Sequence, residues 1–190
     1  MWEVVSTAEC RRVTGKGPIS VRWVCTNKGD MEHPNVRCRL VARQIRHPGT
    51  DSVFAPTPPL EALRTVISCA VTQFEGEPKK TWLPTSPERM QLSFVDISRA
   101  YFNAHVDPSE PTFVELPPEA GAAPGTCGRL LRHMYGTQKA AEGWQDEYSC
   151  TLRELGFVQG RASPCLFSHK ARGLVTSVHG DDFTTAGPKH

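Results

Sequence analysis

The sequence predicts an α+β fold, in which a mostly antiparallel sheet carries helices on one face. Short runs that alternate apolar and polar side chains are typical of half-buried strands. Two longer segments repeat apolar side chains at helical spacing, and stretches rich in proline and glycine separate the predicted elements. From Asp96 onward the predicted order is strand, helix, strands, helix, strand and hairpin.

The predicted strands begin with two alternating runs near the amino terminus. The first, Ile19 to Asn27, and the second, Val36 to Arg43, flank a turn. Three further short strands are predicted at residues 112–116, 130–135 and 165–168. A hairpin is predicted from Leu174 to Gly187, with Gly180-Asp181-Asp182 at its turn.

Two amphipathic helices are predicted, and the first is expected to be core packing. One begins near Leu60 and reaches Phe74; the other runs from Lys139 to Leu155 and stops at Gly156. The proline-rich residues 75–90 between the first helix and the next strand have no periodicity and predict a loop at the seam of two lobes.

The chain is expected to form two lobes. The first comprises residues 1–90, to which residues 105–140 return. The second comprises residues 91–104 and 141–190. Residues 1–50 hold nine Lys and Arg against four Asp and Glu, whereas the remainder holds thirteen against sixteen. A basic first lobe suits a protein that grips a polyanion, and a merely solvated basic face is the alternative.

The composition argues against membrane and secreted proteins. Only 38% of the residues are hydrophobic, and no apolar run approaches the roughly 20 residues of a membrane span. The amino terminus lacks the pattern of a secretory signal. Seven cysteines without a Cys-x-x-Cys pair argue against a disulfide framework and a zinc site. We therefore expect buried, reduced thiols in an intracellular protein of the cytoplasm or nucleus.

Three arginines occupy alternate positions of the second predicted strand. Arg37, Arg39 and Arg43 share a face, because side chains alternate along a strand. The guanidinium fork matches phosphate oxygens, so this face could hold a triphosphate or a nucleic-acid backbone. An exposed strand face without a ligand is the alternative.

Three aspartates lie where carboxylates need an explanation. Asp96 ends a short apolar strand, and burial of its unpaired charge would cost several kcal/mol, so it should face a cation, a cleft or an arginine such as Arg99. Asp181 and Asp182 are adjacent at the hairpin tip, where like charges persist on an open surface or around a bound cation. A solvated turn and a metal site are both consistent with these residues.

A succession of short motifs runs along nearly the whole chain, from about Trp2 to Gly187. They are Arg39-Leu40-Val41-Ala42-Arg43, Phe54-Ala55-Pro56, Arg64, residues 95–103, residues 135–144, Gly156-Phe157, residues 163–167 and His179-Gly180-Asp181-Asp182. Each motif alone is weak evidence, but their order and spacing are specific. This succession resembles the reverse transcriptase domain of copia-type retrotransposon polyproteins.

The resemblance implies a right-hand polymerase fold. The first lobe would be the fingers and the second the palm, truncated at its carboxyl end, with the thumb absent. The implied activity is RNA-directed DNA polymerisation with two Mg²⁺ ions, for which Mn²⁺ is an alternative. Asp96 and Asp181 would bridge the metals and Asp182 would support them. A catalytically inactive remnant that at most binds nucleic acid is the second hypothesis.

The resemblance also implies substrates and partners. Lys28, Arg37 and Arg39 match the basic fingers region and are candidates to bind the incoming deoxynucleoside triphosphate. Tyr101 resembles the aromatic gate that excludes a 2′-hydroxyl, with a packing tyrosine as the alternative. Gln138 would lie near nucleotide and template. The implied partners are an RNA or DNA template with primer, and the integrase and ribonuclease H domains of a parent polyprotein; no membrane is implied.

The hairpin departs from the usual family sequence. The family reads Tyr-Val-Asp-Asp, whereas this chain reads His179-Gly180-Asp181-Asp182. Loss of the tyrosine removes a side chain that lies against the primer end, and glycine is expected to loosen the turn.

Overall fold

The computed structural model describes residues 1–44, 58–72 and 89–188. Within these ranges the chain is a mixed α/β protein whose strands pair antiparallel, as predicted. Phe54-Ala55-Pro56, Phe74 and nearly all of the predicted loop at residues 75–90 lie outside the described residues. No helix in the described ranges is long and apolar enough to cross a membrane.

The helices and strands of the described ranges follow one another in this way. The helices are α1 (Thr7–Thr14), α2 (Leu60–Val71) and α3 (Ala140–Glu154). The strands are β1 (Trp2–Ser6), β2 (Val21–Asn27), β3 (Val36–Ala42), β4 (Met90–Asp96), β5 (Phe113–Val114), β6 (Thr126–Leu130), β7 (Val158–Gln159), β8 (Leu166–His169), β9 (Leu174–His179) and β10 (Asp182–Pro188). Single 3₁₀ turns follow β4, β5 and β8.

The chain divides into two compact units. The first contains residues 1–53 and 101–144, and the second contains residues 54–100 and 145–190. The first unit holds the sheet β1-β6-β5 and the ribbon β2-β3, whereas the second holds the sheet β4-β10-β9-β8-β7. Helix α2, which the predicted boundary near residue 90 places in the first lobe, packs on the sheet of the second unit. The names fingers and palm stay a prediction.

Two elements of the first unit, β1 and α1, were not predicted from the sequence. The Ser6 hydroxyl accepts a hydrogen bond from the Glu9 backbone N–H at 3.1 Å and caps the start of α1. The helix ends at Gly15, which has a left-handed φ of 68°. Cys10 of this helix packs with Phe113 and Cys127 in a small buried cluster.

The predicted strand at residues 130–135 is wrong in position. The strand is β6, which ends at Leu130 and lies between β1 and β5. Gly128 makes residues 126–130 resemble a turn by composition. A Cβ at this position would lie 2.9 Å from the Leu116 side chain and 3.1 Å from Trp2. The glycine therefore marks close packing over a central strand rather than a turn.

The second unit has helices on both faces of its sheet, so the prediction that helices pack on one face is wrong. On one face, Val66 and Ala70 of α2 pack with Met90 and Ala186. On the other, Tyr148 of α3 contacts the rings of Phe167 and Phe183 edge-on, with centroids 6.0 and 5.7 Å away. Consecutive buried residues in β9 show the cause, because a strand covered on both faces does not alternate in polarity.

The prediction of buried thiols holds for only part of the set. None of the seven cysteines, all of which lie in the described ranges, forms a disulfide. Cys10, Cys127 and Cys165 are buried and Cys69 is half-buried, but Cys25, Cys38 and Cys150 are exposed. The exposed positions lie on the β2-β3 ribbon and on the outer face of α3, which residue type alone does not reveal.

Gly143 within α3 provides a test of this packing. A Cβ there would lie 2.3 Å from Nε2 of His133, whose side chain is buried and cannot easily move away. Helix propensity favours alanine by about 1 kcal/mol. We nevertheless expect Gly143→Ala to lower the free energy of unfolding by about 1–3 kcal/mol, measured by urea denaturation, because of overpacking.

Gly17→Ala is the matched control, since an added Cβ there meets no atom within 4 Å. It should leave the free energy of unfolding unchanged or slightly raised. A Gly143→Ala chain as stable as the parent would contradict the packing described for α3.

Candidate functional site

The acidic end of the second sheet is organised by strand register. Asp96, the last residue of β4, is the Cα partner of Asp182, the first residue of β10. Asp182 is in turn the partner of His179 at the end of β9. Residues paired across antiparallel strands project to the same face, so these three side chains lie side by side on one face. All three are exposed.

Asp181 lies at the hairpin tip, next to this row. The two-residue turn Gly180-Asp181 joins β9 to β10. The main-chain oxygen of Asp181 accepts a hydrogen bond from the Ile97 N–H at 2.9 Å, which continues the pairing of β4 and β10 past Asp96. The structure therefore brings the three predicted acids to one end of the sheet. Asp96 and Asp182 are directly opposed, and Asp181 is adjacent to them in the turn.

A cavity of about 490 Å³ opens on the face that carries Asp96 and Asp182. His179 and both of these acids line it, whereas Asp181 does not. The remaining lining residues are Pro58, Pro59, Leu60, Leu63, Phe94, Val95, Ser177, Phe183 and Thr184. The acids thus lie at the polar rim of a largely apolar depression between the start of α2 and the sheet.

The fit of these acids to a metal ion can be judged from their arrangement. Within the described ranges, no three His, Cys, Asp or Glu side chains are grouped so that they could hold a metal ion. The described residues therefore do not form a closed protein cage at this site. Mg²⁺ usually keeps several waters and binds through one or two carboxylates together with substrate phosphates. The opposed carboxylates of Asp96 and Asp182 fit that more open mode of binding.

The alternative that Asp96 pairs with Arg99 is not observed. The ion pairs found among the described residues do not include one between these two side chains. Arg99 has a left-handed φ of 57°, rare for a residue other than glycine, and it lies three residues after the end of β4. The Asp96 carboxylate is thus exposed at the end of β4, and no arginine among the described residues forms an ion pair with it.

The β2-β3 ribbon of the first unit carries the predicted arginine face, and the structure adds a further arginine to it. The register pairs Thr26 with Arg37, Val24 with Arg39 and Arg22 with Val41. Arg22 therefore lies on the same face as Arg37 and Arg39, which the sequence did not reveal because register is not local information. The Arg43 N–H donates to the Ser20 carbonyl at 2.8 Å, which extends the same register to a fourth arginine. All four arginines are exposed.

Lys28 lies at the tip of the ribbon, directly after β2. Its backbone N–H donates to the Asn35 carbonyl at 2.8 Å, and its side chain is exposed. The tip and the four arginines give the ribbon five cations that solvent reaches.

An aromatic cluster brings two of the predicted site residues together in the first unit. The Arg39 guanidinium carbon lies 5.8 Å from the centroid of the Tyr135 ring, in a cation–π arrangement. Tyr135 contacts Tyr101 and Phe102 edge-on, with centroids 4.9 and 5.5 Å away. Tyr101 is half-buried in this cluster, which agrees with the packing alternative. Its role as a gate stays a prediction.

Gln138 follows a tight loop that is held against the end of β3. The Ala42 N–H donates to the Tyr135 carbonyl at 2.8 Å. Gly136 has a φ of 84°, and a Cβ there would lie 2.0 Å from the Ala42 oxygen, so no larger residue fits. The Gln138 N–H donates to Oε1 of Gln44 at 2.8 Å. These bonds fix the backbone of Gln138 near the base of the ribbon; its contact with a nucleotide stays a prediction.

A model of the family described as reverse transcriptase (RNA-dependent DNA polymerase) matches residues 1–189. The chain belongs to the reverse transcriptase family. The match spans nearly the whole chain and confirms the copia-type assignment that the order of motifs predicted. No solved structure matches the chain.

The departure of this member of the reverse transcriptase family at its hairpin has a structural explanation. Gly180 occupies the first central position of the two-residue turn with a φ of 64°, as glycine does in type II′ turns. A β-branched valine, the usual family residue at this position, would be strained at this angle. Glycine was expected to loosen the turn, but it also adopts the positive φ of this position without strain, which compensates for the added freedom. His179 replaces the usual tyrosine and faces Asp182.

The turn can be tested by restoring the usual residue. We expect Gly180→Val to lower the free energy of unfolding by about 1–2 kcal/mol, because a side chain at this φ meets its own backbone. Gly180→Asn should cost less, since asparagine tolerates the left-handed region. Urea denaturation of the three chains measures the order. Equal stability of the valine variant and the parent would show that the turn does not require glycine.

Proposed function

We propose that this chain is an RNA-directed DNA polymerase domain that extends a primer on an RNA or DNA template from deoxynucleoside triphosphates. Membership of the reverse transcriptase family over residues 1–189 supports these substrate classes. The observation that carries the proposal is the opposition of Asp96 and Asp182, with Asp181 in the adjoining turn. It supplies paired carboxylates on a rigid sheet, as phosphoryl transfer requires for positioning and charge neutralisation.

In this proposal the acids hold divalent cations. Asp96 and Asp181 would bind two Mg²⁺ ions, or Mn²⁺ in their place, and Asp182 would support them. When bound, such ions lower the pKa of the attacking hydroxyl and neutralise phosphate charge. Pairing of β4 with β10 and the hydrogen bond from Ile97 N–H to the Asp181 oxygen fix the backbone under all three carboxylates. The Asp182 side chain is the one directly opposite Asp96, so substituting each acid separately tests how the metal-binding roles are divided among the three.

The ribbon would bind phosphates. Lys28, Arg37 and Arg39 are proposed to contact the triphosphate or the nucleic-acid backbone, and Arg22 and Arg43 extend the same surface. Their exposure means that binding requires little desolvation and is sensitive to salt. The cation–π contact with Tyr135 orients Arg39, which reduces the side-chain entropy lost on binding.

A catalytically inactive remnant that binds nucleic acid is the second candidate. The observation that favours it is His179-Gly180 in place of Tyr-Val, next to the acids. This candidate retains the basic ribbon, so it predicts salt-sensitive binding of primer–template without extension under any divalent metal.

Primer extension with Mg²⁺ on an RNA template separates these candidates. We expect incorporation by the parent chain and at least about a hundredfold loss in Asp96→Asn and Asp181→Asn, the scale of removing one preorganised charge-stabilising group. Asp182→Asn should lose less, since its proposed role is support. The amide keeps the shape of the carboxylate and removes its charge.

Asp146→Asn on the exposed side of α3 is the control and should extend primers like the parent. Extension that survives Asp181→Asn would remove that residue from the metal site. Absence of incorporation by the parent with Mg²⁺ and with Mn²⁺, alongside retained binding, would favour the remnant.

The contribution of Arg22 to the ribbon is tested by salt dependence. If Arg22 contacts a phosphate, Arg22→Ala should reduce the slope of log K against log salt by about 1. Fluorescence anisotropy of a labelled primer–template over a salt series measures this slope. Arg153→Ala, an exposed arginine of α3, should leave the slope unchanged. An unaltered slope in Arg22→Ala would show that Arg22 does not contact phosphate.

A further inference from the structure

Two of the exposed cysteines face each other across the β2-β3 ribbon. Cys25 and Cys38 are Cα partners in the antiparallel register. Residue pairs in an antiparallel ladder are either hydrogen-bonded or non-hydrogen-bonded, and two backbone hydrogen bonds show which kind Cys25 and Cys38 form. The bonds from Lys28 N–H to the Asn35 oxygen and from Arg43 N–H to the Ser20 oxygen, both 2.8 Å, make 28/35 and 20/43 hydrogen-bonded pairs.

The hydrogen-bonded and non-hydrogen-bonded pairs alternate along an antiparallel ladder. Every second pair from 28/35 to 20/43 is therefore hydrogen-bonded, and Cys25/Cys38 belongs to the other class. Paired residues of that class have Cα atoms about 4.5 Å apart, with the side chains closer together than in hydrogen-bonded pairs. This spacing falls within the roughly 4.4–6.8 Å that a disulfide spans.

The two thiols are already in contact and accessible. A hydrogen bond with the Cys38 side chain raises the pKa of Cys25. Both residues are exposed, so a small reagent in solution can reach them. Cys10 and Cys127 also interact with each other through their side chains, but both are buried. Proximity and access thus coincide at Cys25 and Cys38, whereas the buried pair has proximity alone.

We propose that Cys25 and Cys38 form a reversible disulfide, with a low-molecular-weight disulfide such as oxidised glutathione as the oxidant. The thiolate of one cysteine attacks a sulfur of the small disulfide, whose S–S bond breaks and releases one small thiol. The second cysteine attacks the resulting mixed disulfide, forms the Cys25–Cys38 bond and releases the second small thiol. The two released thiols carry away the two protons, and the small disulfide accepts the two electrons.

The link would act on the ribbon without covering its basic face. Cys25 and Cys38 project to the side opposite Arg22, Arg37 and Arg39, since neighbouring positions alternate between faces. An isolated two-stranded ribbon is only marginally stable in water. A bond between its strands fixes their register, and a slip of one residue would turn the arginines to the other face. Formation of the disulfide does not depend on the proposed polymerase activity.

The test begins with the reduced full chain, which is incubated with oxidised glutathione at mildly alkaline pH. The chain is then denatured so that buried thiols also react, the remaining thiols are alkylated, and the products are analysed by mass spectrometry. We expect Cys25 and Cys38 to escape alkylation and to appear in one disulfide-linked pair of peptides, whereas all seven cysteines are alkylated after reduction. Trypsin cleaves after Lys28, between the two cysteines, so the peptides that contain Cys25 and Cys38 should stay joined until a reductant is added.

Single substitutions make the assignment specific. Cys25→Ser and Cys38→Ser should each lose the link and retain one glutathione as a mixed disulfide, because the resolving thiol is gone. Cys150→Ser, which removes an exposed cysteine of α3, should keep the link. The proposal is overturned if Cys25 and Cys38 remain alkylatable in the oxidised parent, or if the link joins other cysteines such as Cys10 and Cys127.

Discussion

The pairing of β10 with β4 on one side and β9 on the other is the constraint on which the acidic site depends. A shift of one residue would send Asp96 and Asp182 to opposite faces. The acids do not stabilise this register themselves, since like charges directly opposite each other are unfavourable. It is held by packing on both faces, through Val66 and Ala70 on one and Tyr148 on the other.

Local periodicity predicted the longer helices well and the short elements poorly. Helix α3 was predicted at residues 139–155 and is observed at 140–154, because a buried stripe over four turns is a strong signal. Helix α1 is short and mostly polar, although Ser6 and Glu9 have the spacing of a capping box that the sequence already contained. Strand β6 was misplaced because Gly128 is a poor strand former whose close packing appears only in the tertiary structure.

For the candidate site, the sequence identified functional residues by their chemical type, but it could not show which residues lie next to them in the fold. The sequence singled out the three acids and Arg37 and Arg39, since clustered carboxylates and guanidiniums carry recognisable chemistry. It could not place Arg22 on the arginine face or oppose Cys25 to Cys38, since both depend on how β2 pairs with β3. The helices on both faces of the second sheet were missed for a related reason. Which helix covers which face is decided by residues distant in sequence.

The opposition of Asp96 and Asp182 couples the stability of the second unit to its ionic surroundings. Any cation that bridges these carboxylates only in the folded chain contributes RT ln(1 + [L]/Kd) to the free energy of unfolding. The relation also operates in reverse, because the carboxylates are opposed only while β4 and β10 remain paired. A substitution in the distant core that populates the unfolded chain therefore weakens the apparent affinity for the cation without touching either acid.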